Sequence, residues 1–132
     1  MRLTPEVNEL IYKIAAICSR VHNTLGPGFP EEYYKKAFAY ELGKSNFRYE
    51  SQKKIQITYE EVLLGGEFLD FIVDDLIVLF IKSEITLTEV HRMKVMKSFQ
   101  WTEYPAAMLI NFGETELKYE RILPPVEILG NV

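Results

Sequence analysis

"DFIVDDLIVLFIKSE", residues 70–84, decides how this chain folds. Asp70 opens the stretch, an apolar run broken by Asp74 and Asp75 follows, and Lys82 stands near the far end. Successive residues of an extended chain point to opposite faces, so the run from Leu76 to Ile81 is apolar on both. A strand that is apolar on both faces needs cover on both, which marks a central strand of an α/β sheet. Phe80, Lys82 and Glu84 share one face of it; Leu79, Ile81 and Ser83 share the other. A lysine at the end of such a strand either runs its stem along the apolar surface to water or serves as the cation of a site. If the strand holding Asp70 pairs with this one, the carboxylate comes within lateral reach of Lys82, because paired strands lie about 4.8 Å apart.

The flanking sequence supplies the layers. Pro5 to Leu25 reads as a helix capped by Thr4, with Val7, Leu10, Ile11, Ile14, Cys18, Val21 and Leu25 at helical spacing. "GPG", residues 26–28, stops it, and a second helix runs from Pro30 to Leu42 with Gly43 as its stop. "NFRYESQKKIQITYE", residues 46–60, alternates and reads as one or two strands; a turn is expected at Gly65-Gly66, followed by a strand into Asp70. Residues 86–104 read as a third helix, with Thr86 and Glu89 at capping-box spacing. "AAMLINFG", residues 106–113, and "ELKYERIL", residues 116–123, are two more strands, and the tail from Pro124 has no periodicity. Two helices, three or four strands, a helix and two strands imply an α/β layer fold with a mixed sheet.

The bulk numbers exclude several classes. A chain of 132 residues suits one domain over 1–132, and 48% apolar with 26% charged residues predicts folding rather than disorder. A single cysteine, Cys18, rules out an internal disulfide framework and a cysteine-rich zinc site, and fits a reducing, cytoplasmic setting. His22 and His91 form no metal-ligand pair by spacing. No apolar run reaches the roughly 18–20 residues of a membrane span, and "MRLTPEVNEL" has no signal-peptide core, so no membrane association is expected. The net charge of −4 gives no general attraction to nucleic acid. Binding of that kind would need a local patch, and Arg92, Lys94 and Lys97, with His91, line up along the third helix, while Lys53 and Lys54 form a second short run. Such runs are also ordinary solvated faces.

Glu31, Tyr34, Phe38 and Leu42 fall on one helical face, which sets a carboxylate beside three large core-type side chains. An aspartate, a lysine and a helical glutamate directed at one cleft are the parts of a magnesium-dependent phosphodiesterase: carboxylate oxygens hold the ion, the ion lowers the pKa of a bound water, and the lysine steadies developing charge. Each part also has an ordinary role. An aspartate near a strand end caps a turn, a lysine snorkels, and a glutamate in a first helical turn answers the helix dipole.

"GFPEEYYKKAFAYEL", residues 28–42, resembles the signature of the GxxExxY family, with Gly28, Glu31 and Tyr34 at its named positions. The resemblance continues through "SQKKIQITYE", "FLDFIVDDLIVLFIK", "FQWTEY", "AAMLINFG" and "YERIL", and spans about residues 25–123. That family is placed in the PD-(D/E)XK nuclease-like superfamily. The resemblance therefore implies a restriction-endonuclease-like fold, a mixed central sheet flanked by helices, and a Mg²⁺- or Mn²⁺-dependent nuclease acting on DNA or RNA. By the same resemblance Glu31 is the acidic residue of the early helix, Asp70 the metal-binding aspartate, Lys82 the lysine of the E-x-K element, and Gln100 a glutamine on the following helix. Phe80 departs from the pattern, standing where the metal-ligating glutamate belongs, and Phe68 replaces a polar or basic residue before the aspartate. A phenyl ring offers no oxygen, so the expected metal site is degenerate and the domain is inactive or weakly active and kept for binding. Glu84 is the other carboxylate on the Lys82 face, about 13 Å beyond Phe80 at roughly 3.3 Å per residue; an active enzyme would need it relocated into the site. A protein-interaction or homo-oligomeric structural module is the remaining alternative.

Overall fold

A computed structural model describes residues 4–125. The elements run α1 (Pro5–Leu25), α2 (Glu31–Lys44), β1 (Tyr49–Tyr59), β2 (Val62–Val73), β3 (Ile77–Lys82), α3 (Glu89–Ser98), β4 (Ala106–Asn111) and β5 (Lys118–Ile122). The five strands form one sheet in the order β1-β2-β3-β4-β5. β3 and β4 are parallel and the other pairs antiparallel, which makes the sheet mixed. The parallel pair requires a crossover, and α3 supplies it.

β3 sits between β2 and β4 as its sequence requires. Ile77, Leu79 and Ile81 point into a core built with α1 and α2, together with Phe71, Met108 and Ile110. Val78 and Phe80 point the other way, into a smaller cluster with Val95 and Phe99 of the α3 region and Leu109 of β4. The α1 stripe of Val7, Leu10, Ile11, Ile14, Cys18 and Val21 is buried as its spacing predicts. Thr4 accepts the Val7 N–H at 3.2 Å as N-cap. Burial pushes the Cys18 thiol far up, so it stays protonated inside the core.

Three local expectations give way to the structure. Gly43 does not stop α2; the helix runs to Lys44, and Asn46 takes the left-handed conformation beyond it with φ of 60°. A glycine weakens a helix by only about 0.5–1 kcal/mol relative to alanine, less than the packing of Phe38 and Leu42 on the core contributes. Gly65 and Gly66 make no turn. They lie inside β2, paired with Ile57 and Gln56, and the chain reverses at Glu60-Glu61, where Glu60 has φ of 53°. Alternating β-formers on both sides of the glycine pair outweigh its turn preference. Finally, α3 is shorter than the 86–104 expected, ending at Ser98, and its capping box uses Thr88 and His91 rather than Thr86 and Glu89. The seven leading residues of β2 are exposed, and β2 meets β3 only from Phe71 to Val73, so the far end of the β1–β2 hairpin projects past the sheet.

Tyr34 fastens α2 to the Gly26–Phe29 loop. It is fully buried, donates its hydroxyl to the Gly26 carbonyl at 2.6 Å, accepts the Phe29 N–H at 3.2 Å, and stacks on Phe112 at 4.7 Å. Gly26 and Gly28 both have positive φ, 72° and 104°, so the loop depends on glycine at each. Replacing Tyr34 with Phe removes the partner of the half-buried Gly26 carbonyl and of the Phe29 N–H. Urea unfolding of Tyr34→Phe should show a loss of about 1–3 kcal/mol through a lower midpoint at unchanged slope.

Candidate functional site

One face of the β2–β3 pair and the flank of α3 enclose a groove of about 350 Å³. Asp70, Phe80 and Lys82 line it from the strands, His91, Lys94 and Lys97 from α3, and Trp101 from the turn that follows. Leu69, Val95 and Leu109 give it an apolar floor. β3 presents Phe80 and Lys82 on the α3 side, as strand parity requires. Among the described residues, Lys82, Lys94 and Lys97 make no ion pair, while the neighbouring His91 Nε2 lies 3.6 Å from Glu84 and Arg92 is paired elsewhere.

Asp70 is engaged on both oxygens. Its Oδ2 accepts the Ile81 N–H at 2.8 Å, so the carboxylate satisfies a buried main-chain donor just beyond Phe71–Leu79, where the β2–β3 ladder ends. Its Oδ1 lies 3.2 Å from Lys35 Nζ, and the same ammonium lies 3.0 Å from Glu31 Oε2. Glu31 therefore communicates with Asp70 through Lys35, and it does not line the groove. Burial pulls the Lys35 ammonium down, but hydrogen bonds and charge from Glu31 and Asp70 together outweigh it and hold its pKa above the ordinary lysine value. Lys35 is the residue that the sequence did not reveal. Its i+4 spacing from Glu31 is the signal, but that spacing is shared by ordinary surface pairs.

The other candidates separate. Glu84 lies beyond β3, where its main chain is clamped by Asn111: the Glu84 N–H donates to Asn111 Oδ1 at 2.8 Å, and Asn111 Nδ2 donates to the Glu84 carbonyl at 2.9 Å. A Cβ on Gly113 would collide with that Glu84 main chain, which accounts for the glycine in "NFG". The Glu84 side chain is directed to His91, whose Nδ1 accepts the Thr88 N–H. Gln100 is exposed and lies past the end of α3, its N–H bonded to the Lys97 carbonyl in a turn; it lines a separate cleft with Lys53 and Tyr104. Arg92 is absent from the groove lining. Its Nε reaches both Glu120 oxygens, at 2.8 and 2.9 Å, and its Nη2 lies 2.7 Å from Oε2, tying α3 to β5. The basic strip expected as Arg92, Lys94 and Lys97 is thus, in the structure, a groove set of Lys82, Lys94 and Lys97.

A divalent metal does not fit these residues as they stand. Among the described residues the groove lining holds two carboxylates: Asp70 is occupied by a main-chain donor and an ammonium, and Glu67 stands on the exposed part of β2; Phe80 contributes no oxygen, and Glu84 is drawn toward α3. Among the described residues, no three His, Cys, Asp or Glu side chains are arranged to hold an ion.

A family model described as the PD-(D/E)XK nuclease superfamily matches residues 8–122, which takes in every strand and all but the first turn of α1. The chain belongs to the PD-(D/E)XK nuclease superfamily. As a PD-(D/E)XK nuclease-like domain, it has the mixed five-stranded sheet flanked by helices that goes with the restriction-endonuclease-like fold. Among solved structures, it is similar to the crystal structure of an alkaline exonuclease (LHK-Exo) from Laribacter hongkongensis, with a TM-score of 0.45 and 13% identity over 99% of this chain and 76% of that one. A comparison with curated proteins finds no match. No helix among the described residues is long and apolar enough to cross a membrane.

The raised Lys35 pKa fixes the sign of a pH effect. A group whose pKa rises on folding contributes stability that is fully present below its unfolded value, about 10.4 for lysine, and fades as pH climbs through the folded one. The gap in urea midpoint between wild type and Lys35→Met should therefore be flat from about pH 7 to 10 and narrow above that. A gap that widens with alkalinity would contradict the assignment.

Proposed function

We propose that this PD-(D/E)XK domain binds a nucleic-acid strand in the groove without cutting it. The observation that carries this reading is the state of Asp70, whose carboxylate is held by Lys35 and the Ile81 N–H beside the ring of Phe80. A carboxylate already bonded to an ammonium and a main-chain N–H has no free oxygen to offer Mg²⁺, which wants near-octahedral oxygen coordination. Lys82, Lys94 and Lys97 supply phosphate contacts, and Trp101 and Phe80 supply aromatic surface. The overall charge of −4 confines attraction to this groove.

The finer reading, that the chain is of the GxxExxY type, rests on its sequence resemblance, and two contacts are in keeping with it. Tyr34 clamps the loop that carries Gly28, and Glu31 holds Lys35 against Asp70. The stretch 1–132 acts as one unit in this reading, because the single sheet has both faces covered by its own helices. Gln100 has no part in the groove, and Glu84 serves with His91 at the head of α3. A second reading, docking of another protein or another copy of the chain, is favoured by a different feature. Tyr59, Val62, Leu63 and Leu64 are exposed at the projecting hairpin end.

The test is fluorescence anisotropy with labelled single- and double-stranded DNA and RNA in EDTA. Binding should weaken steeply between about 50 and 200 mM salt as counterions are released. Replacing Lys82, Lys94 and Lys97 with Ala should reduce the logarithmic salt slope by about 2–3, near 0.7–0.9 per lost contact. Arg92→Ala should lower stability and leave that slope unchanged. No binding at low salt leaves the protein-docking reading, and robust Mg²⁺- or Mn²⁺-dependent cleavage by wild type, lost in both Asp70→Ala and Lys82→Ala, refutes the non-cutting one.

A further inference from the structure

Three carboxylates converge on one ammonium. Lys35 Nζ lies 3.0 Å from Glu31, 3.2 Å from Asp70 and 3.9 Å from Glu32. The Lys35 side chain is 14% exposed and that of Asp70 12%, so the contact with Asp70 is largely shielded from water. Glu31 and Lys35 are one helical turn apart, which fixes the cation in place before any ion arrives from solution. An ammonium brings one full charge and three donors, enough to neutralise Asp70, but it cannot impose octahedral geometry or activate a water. Its contacts with Glu31 and Asp70 are hydrogen-bond lengths, about 1 Å longer than the ~2.0–2.1 Å of a magnesium–oxygen bond.

We propose that Lys35 is a tethered substitute for a divalent cation at Asp70, and that it, together with Phe80, keeps metal out of the site. Positions 70 and 80 follow directly on the last β2–β3 pair, Phe71–Leu79, and both line the groove. A glutamate at 80 would approach Asp70 from the groove, while Lys35 reaches it from α2. Restoring that glutamate alone therefore does not open the site, because an arriving ion must still displace an ammonium held by two acids. The inference concerns Asp70 only and stands whether or not the groove binds nucleic acid.

The experiment compares wild type, Phe80→Glu, Lys35→Gln and the double variant, each as the full chain. Mn²⁺ binding is read from the electron paramagnetic resonance signal of free ion, and stability from thermal unfolding in EDTA and in MnCl₂. The double variant should bind Mn²⁺ at least about tenfold more tightly than Phe80→Glu, on the scale of what a single metal-site partner is worth. It should also melt higher with Mn²⁺ than with EDTA, and adding Asp70→Asn should abolish both effects. Wild type should show neither. Equal Mn²⁺ affinity in Phe80→Glu and the double variant overturns the proposal, as does metal-dependent stabilisation of wild type. If the double variant does not fold in EDTA, Lys35→Gln decides the matter. Its melting temperature should recover with MnCl₂ and not with KCl of the same ionic strength; equal recovery in both salts marks a plain lost ion pair and overturns the proposal.

Discussion

The constraint on which the rest depends is that β3 is apolar on both faces and must be covered on both. Ile77, Leu79 and Ile81 require α1 and α2 on one side; Val78 and Phe80 require α3 on the other. Because β4 runs parallel to β3, the chain has to cross over between them, and α3 is both crossover and lid for the second face. Burying four of the six residues of β3 and all six of β4 leaves few places for a polar side chain, and these lie where the strands end. Lys82 closes β3, Asn111 closes β4, and Asp70 sits where β2 parts from β3.

Two of those polar residues answer main-chain groups at the strand ends. Asp70 satisfies the N–H of Ile81, and Asn111 satisfies the main chain of Glu84. A buried donor left without a partner costs about 1–3 kcal/mol, so these side chains are kept by the fold whether or not chemistry takes place beside them. Lys35 then answers the charge that Asp70 introduces. The carboxylate at position 70 is in this way held by the fold itself, independently of any chemistry in the groove.

Much of this was legible in the sequence. Thr4, Pro5 and the Val7–Leu25 stripe mark α1 to the residue, and the doubly apolar Leu76–Ile81 run marks β3 as central. Parity in β3 places Phe80 and Lys82 together, and the groove lining includes both along with Asp70. What the sequence hid are choices between competing local signals. Gly65-Gly66 is a stronger turn signal than Glu60-Glu61, but the turn falls where the cross-strand register closes, and the register is a property of two strands. Arg92 resembles Lys94 and Lys97 by type and spacing, yet its neighbour Glu120 lies on a strand 28 residues away. Lys35 was hidden for the same reason, its second carboxylate being on β2.

The order of the strands in the sheet has a kinetic consequence. It equals their order in the chain, so every strand pairs with its neighbours in sequence. Loop-closure entropy grows with the logarithm of the separation, and here each closure is short except the α3 crossover. The sheet can therefore assemble from one edge to the other without a distant segment being threaded into it. The long closures belong to the two N-terminal helices. The His22 ring meets the Glu114 carbonyl across 92 residues, and Tyr34 stacks on Phe112. The helices that precede the sheet in sequence are thus the elements whose final contacts wait for β4 and the loop that follows it.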